Sequence, residues 1–312
     1  MMVKLNGFMR KNGTPANPVK FDYSALKYGK FWIMTPSGWR MAYDVSTKQK
    51  QASVEVGDAR RLQATSGLSI SEFYETFGFV LIPHRTKMAA GHWQDQAKVS
   101  EIYSAEIKQL LKEHEIFKDQ GVVVDTNGAG AIVRDGTGTD GDIYGSEVHI
   151  DFGLTPQEFE DNLVAHGYDG NAWRAAYNRP DVGGFQMINF WRPISPMQGP
   201  VYTFPLCLCD KRTVAREDVV PRATKGLTST KLPDRASHLK HNPRHEWWFY
   251  PEMTTDEVLL FKQIEYLKSG PSSGVEGVPH TAFKLPNIPK GAEKRISSEY
   301  RVSIWLSNED GA

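Results

Sequence analysis

Two periodicities of apolar residues divide this chain into helices and strands. From Lys98 to His114 the run KVSEIYSAEIKQLLKEH sets Ile102, Ile107, Leu110 and Leu111 among charges, which predicts an amphipathic helix laid on a sheet. Residues 155–167, TPQEFEDNLVAHG, open with Thr155 and Pro156 at the N-cap and first helical positions and Glu158 three residues after the cap. That pattern predicts a capped helix carrying His166 toward solvent at its C-terminal end, where a histidine also suits the helix dipole. Elsewhere the apolar runs are short and strand-like. Met253–Phe261 reads as a turn feeding an apolar strand, Arg295–Trp305 as another strand, and GSEVHIDFG as a third. Residues 1–50, rich in Lys, Tyr, Gly and Pro, show little regular period and read as a segment that wraps the core or covers a pocket mouth.

Many short strands with a few helices predict a mainly β fold with flanking helices. The expected architecture is a double-stranded β-helix, a cupin-like jelly roll, over residues 120–305, preceded by an N-terminal α/β elaboration over 1–119. No internal repeat and no long linker interrupts the chain, so 1–312 is read as a single domain. At 312 residues and 40% hydrophobic, it can bury a sizeable core. Lys+Arg and Asp+Glu are equal at 37 each, which leaves no global positive field to hold nucleic acid or an anionic membrane. No apolar stretch approaches the roughly 20 residues that span a bilayer, and MMVKLNGFMRKNG lacks the apolar centre of a secretory signal. A cytoplasmic location is the expectation. Cys207 and Cys209, the only cysteines, share one side of a strand without the second pair that a structural zinc site needs, so they read as reduced, buried thiols.

The chemistry centres on His149-Ile150-Asp151. Alternation along a strand points the imidazole and the carboxylate to one side, and a distant histidine would complete the facial triad that holds Fe(II) with positions left open. An H-x-D alone occurs by chance, so its weight comes from the order of the downstream segments: the strand DEVLLF, then Pro279-His280-Thr281-Ala282-Phe283, then the arginine-bearing strand from Arg295. The glycine-dense segment Asp125–Gly145 precedes the metal strand. Its Gly136, Gly138 and Gly141 spell G-x-G-x-x-G, but a strand rather than a helix comes next, which favours a mobile loop bordering the active site over a phosphate loop.

These parts occur in the order found in the jelly-roll Fe(II)/2-oxoglutarate oxygenases. More narrowly, the chain resembles the asaB-like hydroxylase/desaturase family of microbial secondary metabolism, related to gibberellin desaturase-type and cephamycin hydroxylase-type proteins. The carriers are VEVGDAR at 54–60, ETFGFV at 75–80, HIDFG, NFWRP at 189–193, PLCLCD at 205–210, HEWWFYP at 245–251, PEMTTDEVLLFK and HTAF. Glu265-Tyr266 and the Gly/Ser-rich stretch 270–278 depart from the family pattern, which bears on the substrate more than on iron.

The resemblance implies Fe(II), 2-oxoglutarate and O2 as cofactor and cosubstrates, with His149, Asp151 and His280 as the metal ligands and catalytic centre. It implies that Arg295 or Arg301 grips the far carboxylate of 2-oxoglutarate, since guanidinium meets carboxylate with two parallel charge-assisted bonds, and that the Ser297 hydroxyl adds one more. Even spacing from Arg295 to Arg301 puts both on one strand face. A surface ion pair of Arg295 with Glu293 or Glu299 is the plainer alternative. Asn189, Arg192, His245, Trp247 and Tyr250 are candidates to contact a substrate, with packing as the ordinary role of the aromatics. His245, near His238 and His241, rivals His280 as third ligand, but its position before DEVLLF argues against it. The implied activity is hydroxylation, desaturation or oxidative cyclisation of a small molecule. Aromatic positions and several arginines leave room for an amino-acid-derived or carboxylated substrate. A non-catalytic small-molecule-binding cupin-like protein and an iron oxidase that uses no 2-oxoglutarate remain alternatives, and a homo-oligomer is left open.

Overall fold

Strands that are apolar on both faces need cover on both, and this chain supplies it with a second sheet on one side and helices on the other. The computed structural model describes residues 19–25, 29–35, 38–44, 48–117, 123–125, 131–136, 144–224, 233–271, 274–286 and 288–308. The strands, in chain order, are β1 (Val19–Ala25), β2 (Gly29–Thr35), β3 (Gly38–Asp44), β4 (Lys48–Val54), β5 (Val56–Asp58), β6 (Phe79–Pro83), β7 (Val123–Asp125), β8 (Ile132–Arg134), β9 (His149–Ile150), β10 (Val182–Pro193), β11 (Leu206–Cys209), β12 (Val219–Thr224), β13 (Asp234–Leu239), β14 (Trp247–Phe249), β15 (Glu257–Leu267), β16 (His280–Ala282) and β17 (Ser297–Ser307). The helices are α1 (Ala59–Thr65), α2 (Ile70–Phe77), α3 (Gln96–Lys98), α4 (Ser104–Glu113), α5 (Pro156–Ala165) and α6 (Gly170–Tyr177).

One main sheet runs β6-β15-β10-β17-β7, with β8 also on β17, and the other runs β12-β13-β9-β16-β11-β14-β5. The two face each other as a jelly roll: the Phe261 ring of β15 lies 4.8 Å from the His280 ring of β16, and the Tyr266 hydroxyl donates to Gly153 O at 2.6 Å. The expected double-stranded β-helix is present. Strands β5 and β6, from before residue 119, extend the edges of both main sheets. Where residues 1–50 read as irregular, the structure has β1 paired with β4 and β2 with β3; ladder hydrogen bonds from the backbone hold such ribbons without an apolar period to announce them.

Both predicted helices form. The Lys98–His114 run enters through a wide turn over Val99–Tyr103 and continues as α4, burying Ile107, Leu110 and Leu111. The capping box at Thr155 and Glu158 opens α5. The ETFGFV string is a helix-to-strand corner: Gly78 caps α2 at φ +79°, and a Cβ there would meet Val278 Cγ2 at 2.7 Å. In VEVGDAR, Asp58 caps α1 and Arg60 meets Glu257 with two bonds of 2.6 and 2.8 Å. Cys207 and Cys209 are buried and unbridged, as expected, and burial pushes both thiols up.

Glu265 and Tyr266, the departures from the family pattern, belong to the scaffold. On the helix-facing side of β15, Lys262 is fully buried and donates to Glu75 at 2.8 Å and to Glu265 at 2.7 Å. Gln186 donates to the same Glu265 oxygen at 3.0 Å and accepts from the Tyr74 hydroxyl at 3.0 Å, and Lys211 lies 3.4 Å from Glu265. Removing this carboxylate takes a counter-charge from two buried ammonium groups. Glu265→Ala is therefore expected to cost about 3–5 kcal/mol, read as a lower denaturant midpoint, with Glu265→Gln losing less.

Candidate metal centre

His149 and His280 open strands β9 and β16 and stand opposite each other in register. Pairing across an antiparallel ladder brings such side chains close, and the two rings lie 4.4 Å apart. Asp151, one residue past the end of β9, places Oδ1 3.0 Å from His149 Nε2. Ligand-capable atoms of His149, Asp151 and His280 all lie within 4.8 Å of one another, the one such group among the described residues.

The imidazoles are set up to coordinate through Nε2. His149 Nδ1 lies 2.6 Å from Glu147 O and His280 Nδ1 lies 3.0 Å from Val278 O. Carbonyl oxygens only accept, so each ring carries its proton on Nδ1 and keeps the Nε2 lone pair for a metal. Burial and the neighbouring His149 push His280 down to about 4, so it is neutral at physiological pH. Burial also works against charge on His149, but the hydrogen bond and charge of Asp151 outweigh it and raise its pKa. Burial opposes charge on Asp151 too; Arg301 and then His149 overcome it and hold the carboxyl well below its usual range. Two neutralisable imidazoles and a fixed carboxylate fit a divalent metal such as iron.

The opposite sheet holds the second oxygen of this carboxylate. Arg301 Nη2 donates to Asp151 Oδ2 at 2.6 Å, and Gln263 Nε2 donates to the same oxygen. Gln263 sits at a break in register, where Met187 pairs with Ile264 and Ile188 with Lys262, so this residue has no opposite number on β10. Nothing in the sequence pattern marks it. Gly145 is another residue without a sequence signal of its own: at φ +57° it runs so close to His149 that a Cβ would stand 3.2 Å from Cε1.

Arg295 and Arg301 have different surroundings. Arg295 precedes β17 rather than lying on it, so the expectation of one shared strand face fails. It is 1% exposed, which overturns the surface ion pair, and Glu293 instead accepts from the backbone of Gln198 and Gly199. Its guanidinium lies 4.0 Å from the Tyr144 ring centre and donates to Phe204 O, while Nε has no partner among the described residues. Burial pushes it down to about 9, still protonated at neutral pH. Arg295 lines a small cavity together with His149, Asp151, His280, Trp191 and Glu299. Ser297 Oγ is likewise buried and unpartnered. A buried cation lining the same cavity as the triad, with no carboxylate hydrogen-bonded to it among the described residues, fits an anionic cosubstrate. Arg301, bound to Asp151 and, at 2.5 Å, to Glu299, does not need one.

The remaining candidates scatter. On β10, Asn189 stands opposite Phe261 and Arg301 on the side of the triad, and both its amide atoms are buried without partners among the described residues. Arg192 is three residues on, an odd step, and lies on the other side of the sheet, donating to His84 O at 2.9 Å and to Thr255 O. His245 is 3.1 Å from Asp218, Trp247 packs edge-on to Phe21 at 4.8 Å, and the Tyr250 hydroxyl donates to Gln63 at 2.7 Å. The polar groups of Arg192, His245, Trp247 and Tyr250, candidates for substrate contact, are committed elsewhere or buried in the core. His238 faces Glu147 at 2.8 Å and Arg222 at 2.9 Å. Of the glycine-dense loop, Gly138 and Gly141 lie outside the described residues.

The family described as oxidoreductase/YMDC permease-like domain matches residues 30–305. The chain belongs to this family. Among the described residues no helix is long and apolar enough to cross a membrane. The chain is 32% identical over 129 residues to aspirochlorine biosynthesis protein N of Aspergillus oryzae, a match covering 41% of this chain and 51%, about half, of that relative. It is 28% identical over 264 residues to hydroxylase/desaturase efuI of Hormonema carpetanum, covering 74% of this chain and 78% of the relative. Among solved structures, the iron and alpha-ketoglutarate-dependent endoperoxidase NvfI shares the fold at a TM-score of 0.64 and 20% identity, over 93% of this chain and 98% of that one. The hydroxylase/desaturase resemblance read from HIDFG and NFWRP is borne out by these relatives.

Protonation of His149, which the neighbouring Asp151 favours, competes with iron for the ring. Iron affinity is expected to fall as pH drops through the raised pKa of His149, with His280 adding a further loss only near pH 4. By isothermal titration, Gly145→Ala is expected to weaken iron binding by roughly tenfold. His280→Ala should empty the centre, whereas His245→Ala should keep its iron.

Proposed function

We propose that this chain is a non-haem Fe(II)/2-oxoglutarate-dependent oxygenase that hydroxylates, desaturates or oxidatively cyclises a small molecule of secondary metabolism. The observation that carries this reading is the convergence of His149, Asp151 and His280 on a cavity that the buried Arg295 guanidinium also lines. His149, Asp151 and His280 would hold Fe(II), and Arg295, with Ser297, would hold the distal carboxylate of 2-oxoglutarate. Together with O2, the iron and the keto acid supply the oxidising power, and the keto acid leaves as succinate and carbon dioxide. The protein's part is placement. Glu147 O and Val278 O fix the two imidazole tautomers, Arg301 and Gln263 keep Asp151 ionised and oriented, and Trp191, Phe261 and Leu206 line the cavity and limit the water that reaches it.

The test is anaerobic titration of Fe(II) and 2-oxoglutarate. A weak visible charge-transfer band and, on admitting air, iron-dependent succinate are expected; a binding protein of the same fold gives neither. His149→Ala and Asp151→Ala should abolish both while the protein remains folded, and retained turnover in either would refute the assignment. Arg295→Gln should raise the KM for 2-oxoglutarate, the loss of one partner of a buried charge pair costing about 2–5 kcal/mol, which is roughly thirtyfold or more. An iron oxidase without this cosubstrate would be indifferent to the change.

A further inference from the structure

Helices α5 and α6 do not seal the sheet beneath them. A cavity of about 630 Å3 lies between these helices and strands β10 and β17, a volume in the range that holds a drug-sized ligand. Its walls are mostly aromatic, with Phe152, Phe159, Trp173, Phe185 and Trp305 joined by Met187. The rings already pack on one another, Phe159 to Trp173 at 5.0 Å, Trp173 to Phe185 at 5.3 Å and Phe185 to Trp305 at 4.9 Å, so the walls are a fixed apolar surface. Arg301 lines the cavity and touches Asp151, which places this space next to the metal centre, while Arg295 lies at the opposite end of β17 from Trp305.

The charges at this wall are already spent. Arg301 is bonded to Asp151 and to Glu299, His166 lies 3.1 Å from Asp234, and the Asp169 carboxylate accepts from Ala172 N at the start of α6. Asn162 uses both ends of its amide on the Arg235 backbone, at 2.7 and 2.6 Å. An incoming carboxylate would lose its hydration and find two carboxylates already sharing the one guanidinium. Aromatic walls with no cation lacking a carboxylate partner among the described lining residues select rings without charge.

We propose that this cavity is the substrate site, that it takes a neutral, ring-rich apolar molecule, and that it discriminates against carboxylated ones. It departs from the carboxylated substrate that the count of arginines suggested, and it rests on the oxygenase reading for what happens to the bound molecule. Progesterone, a neutral four-ring probe, and 3-oxo-4-androstene-17β-carboxylic acid, which carries a carboxylate on the same ring system, separate the two classes. By equilibrium dialysis against the full chain without added iron, progesterone is expected to bind at least about tenfold tighter than the acid, the penalty for burying an unpaired charge. Ala172→Trp, which fills the cavity from an exposed helix position, should weaken progesterone binding by a similar factor while leaving the Fe(II)/2-oxoglutarate band unchanged. Equal or tighter binding of the acid, no binding of progesterone, or undiminished binding by Ala172→Trp would each overturn the proposal. The comparison of the two probes needs no variant. Loss of the charge-transfer band in the unmodified protein would overturn the oxygenase reading instead, with the dialysis result standing by itself.

Discussion

A single half-buried carboxylate holds the two halves of this protein to a common purpose. Asp151 sits just past β9 in one sheet, faces His149 with one oxygen, and is gripped at the other by Arg301 and Gln263 from the opposing sheet. An ionised carboxylate inside a jelly roll is stable only if it is paired, and one partner is too few for two oxygens. The arrangement therefore ties the register of β15 and β17 to the position of β9. A shift of one residue in either strand would turn Gln263 or Arg301 to the other side of the sheet and leave the charge unmatched.

The two arginines that look alike in the sequence are divided by this constraint. Arg301 is consumed by Asp151 and Glu299, so it serves the metal ligand and leaves the adjacent cavity without free positive charge. Arg295, walled by Tyr144 and Trp191, feels the charge of Glu299 but has no carboxylate hydrogen-bonded to it among the described residues. One strand and its approach thus present an anion-seeking end and a charge-neutral aromatic end, with the three metal-capable side chains between them. On the proposed reading, that order would separate a small acidic cosubstrate from a larger apolar substrate by electrostatics as well as by shape.

Much of the fold was legible because its signals are local. The capping box at Thr155, the apolar stripe through Ile107, Leu110 and Leu111, and the alternation around His149 depend on residues a few positions apart. The ribbons β1 to β4 were missed because backbone pairing needs no side-chain pattern. Family strings say less about chemistry than about place. Arg192 in NFWRP and His245, Trp247 and Tyr250 in HEWWFYP recur as motifs, yet their contacts in the fold are with Thr255, Asp218, Phe21 and Gln63. A recurring residue can be kept for packing as readily as for contact with a ligand, and only the strand face on which it falls tells the two apart.

By itself the sequence determined which side chains have metal-binding chemistry, because imidazole and carboxylate two residues apart on a strand must share a side wherever that strand goes. It also determined that the chain would build a sheet-rich core flanked by helices, since the apolar spacing allows little else. The tertiary structure alone decided that Gln263 would be displaced by a bulge onto Asp151, and that Arg301 rather than Arg295 would be the arginine bonded to that carboxylate. Those outcomes rest on register between strands far apart in the chain, which is set by the packing of two whole sheets and written in no short stretch of it.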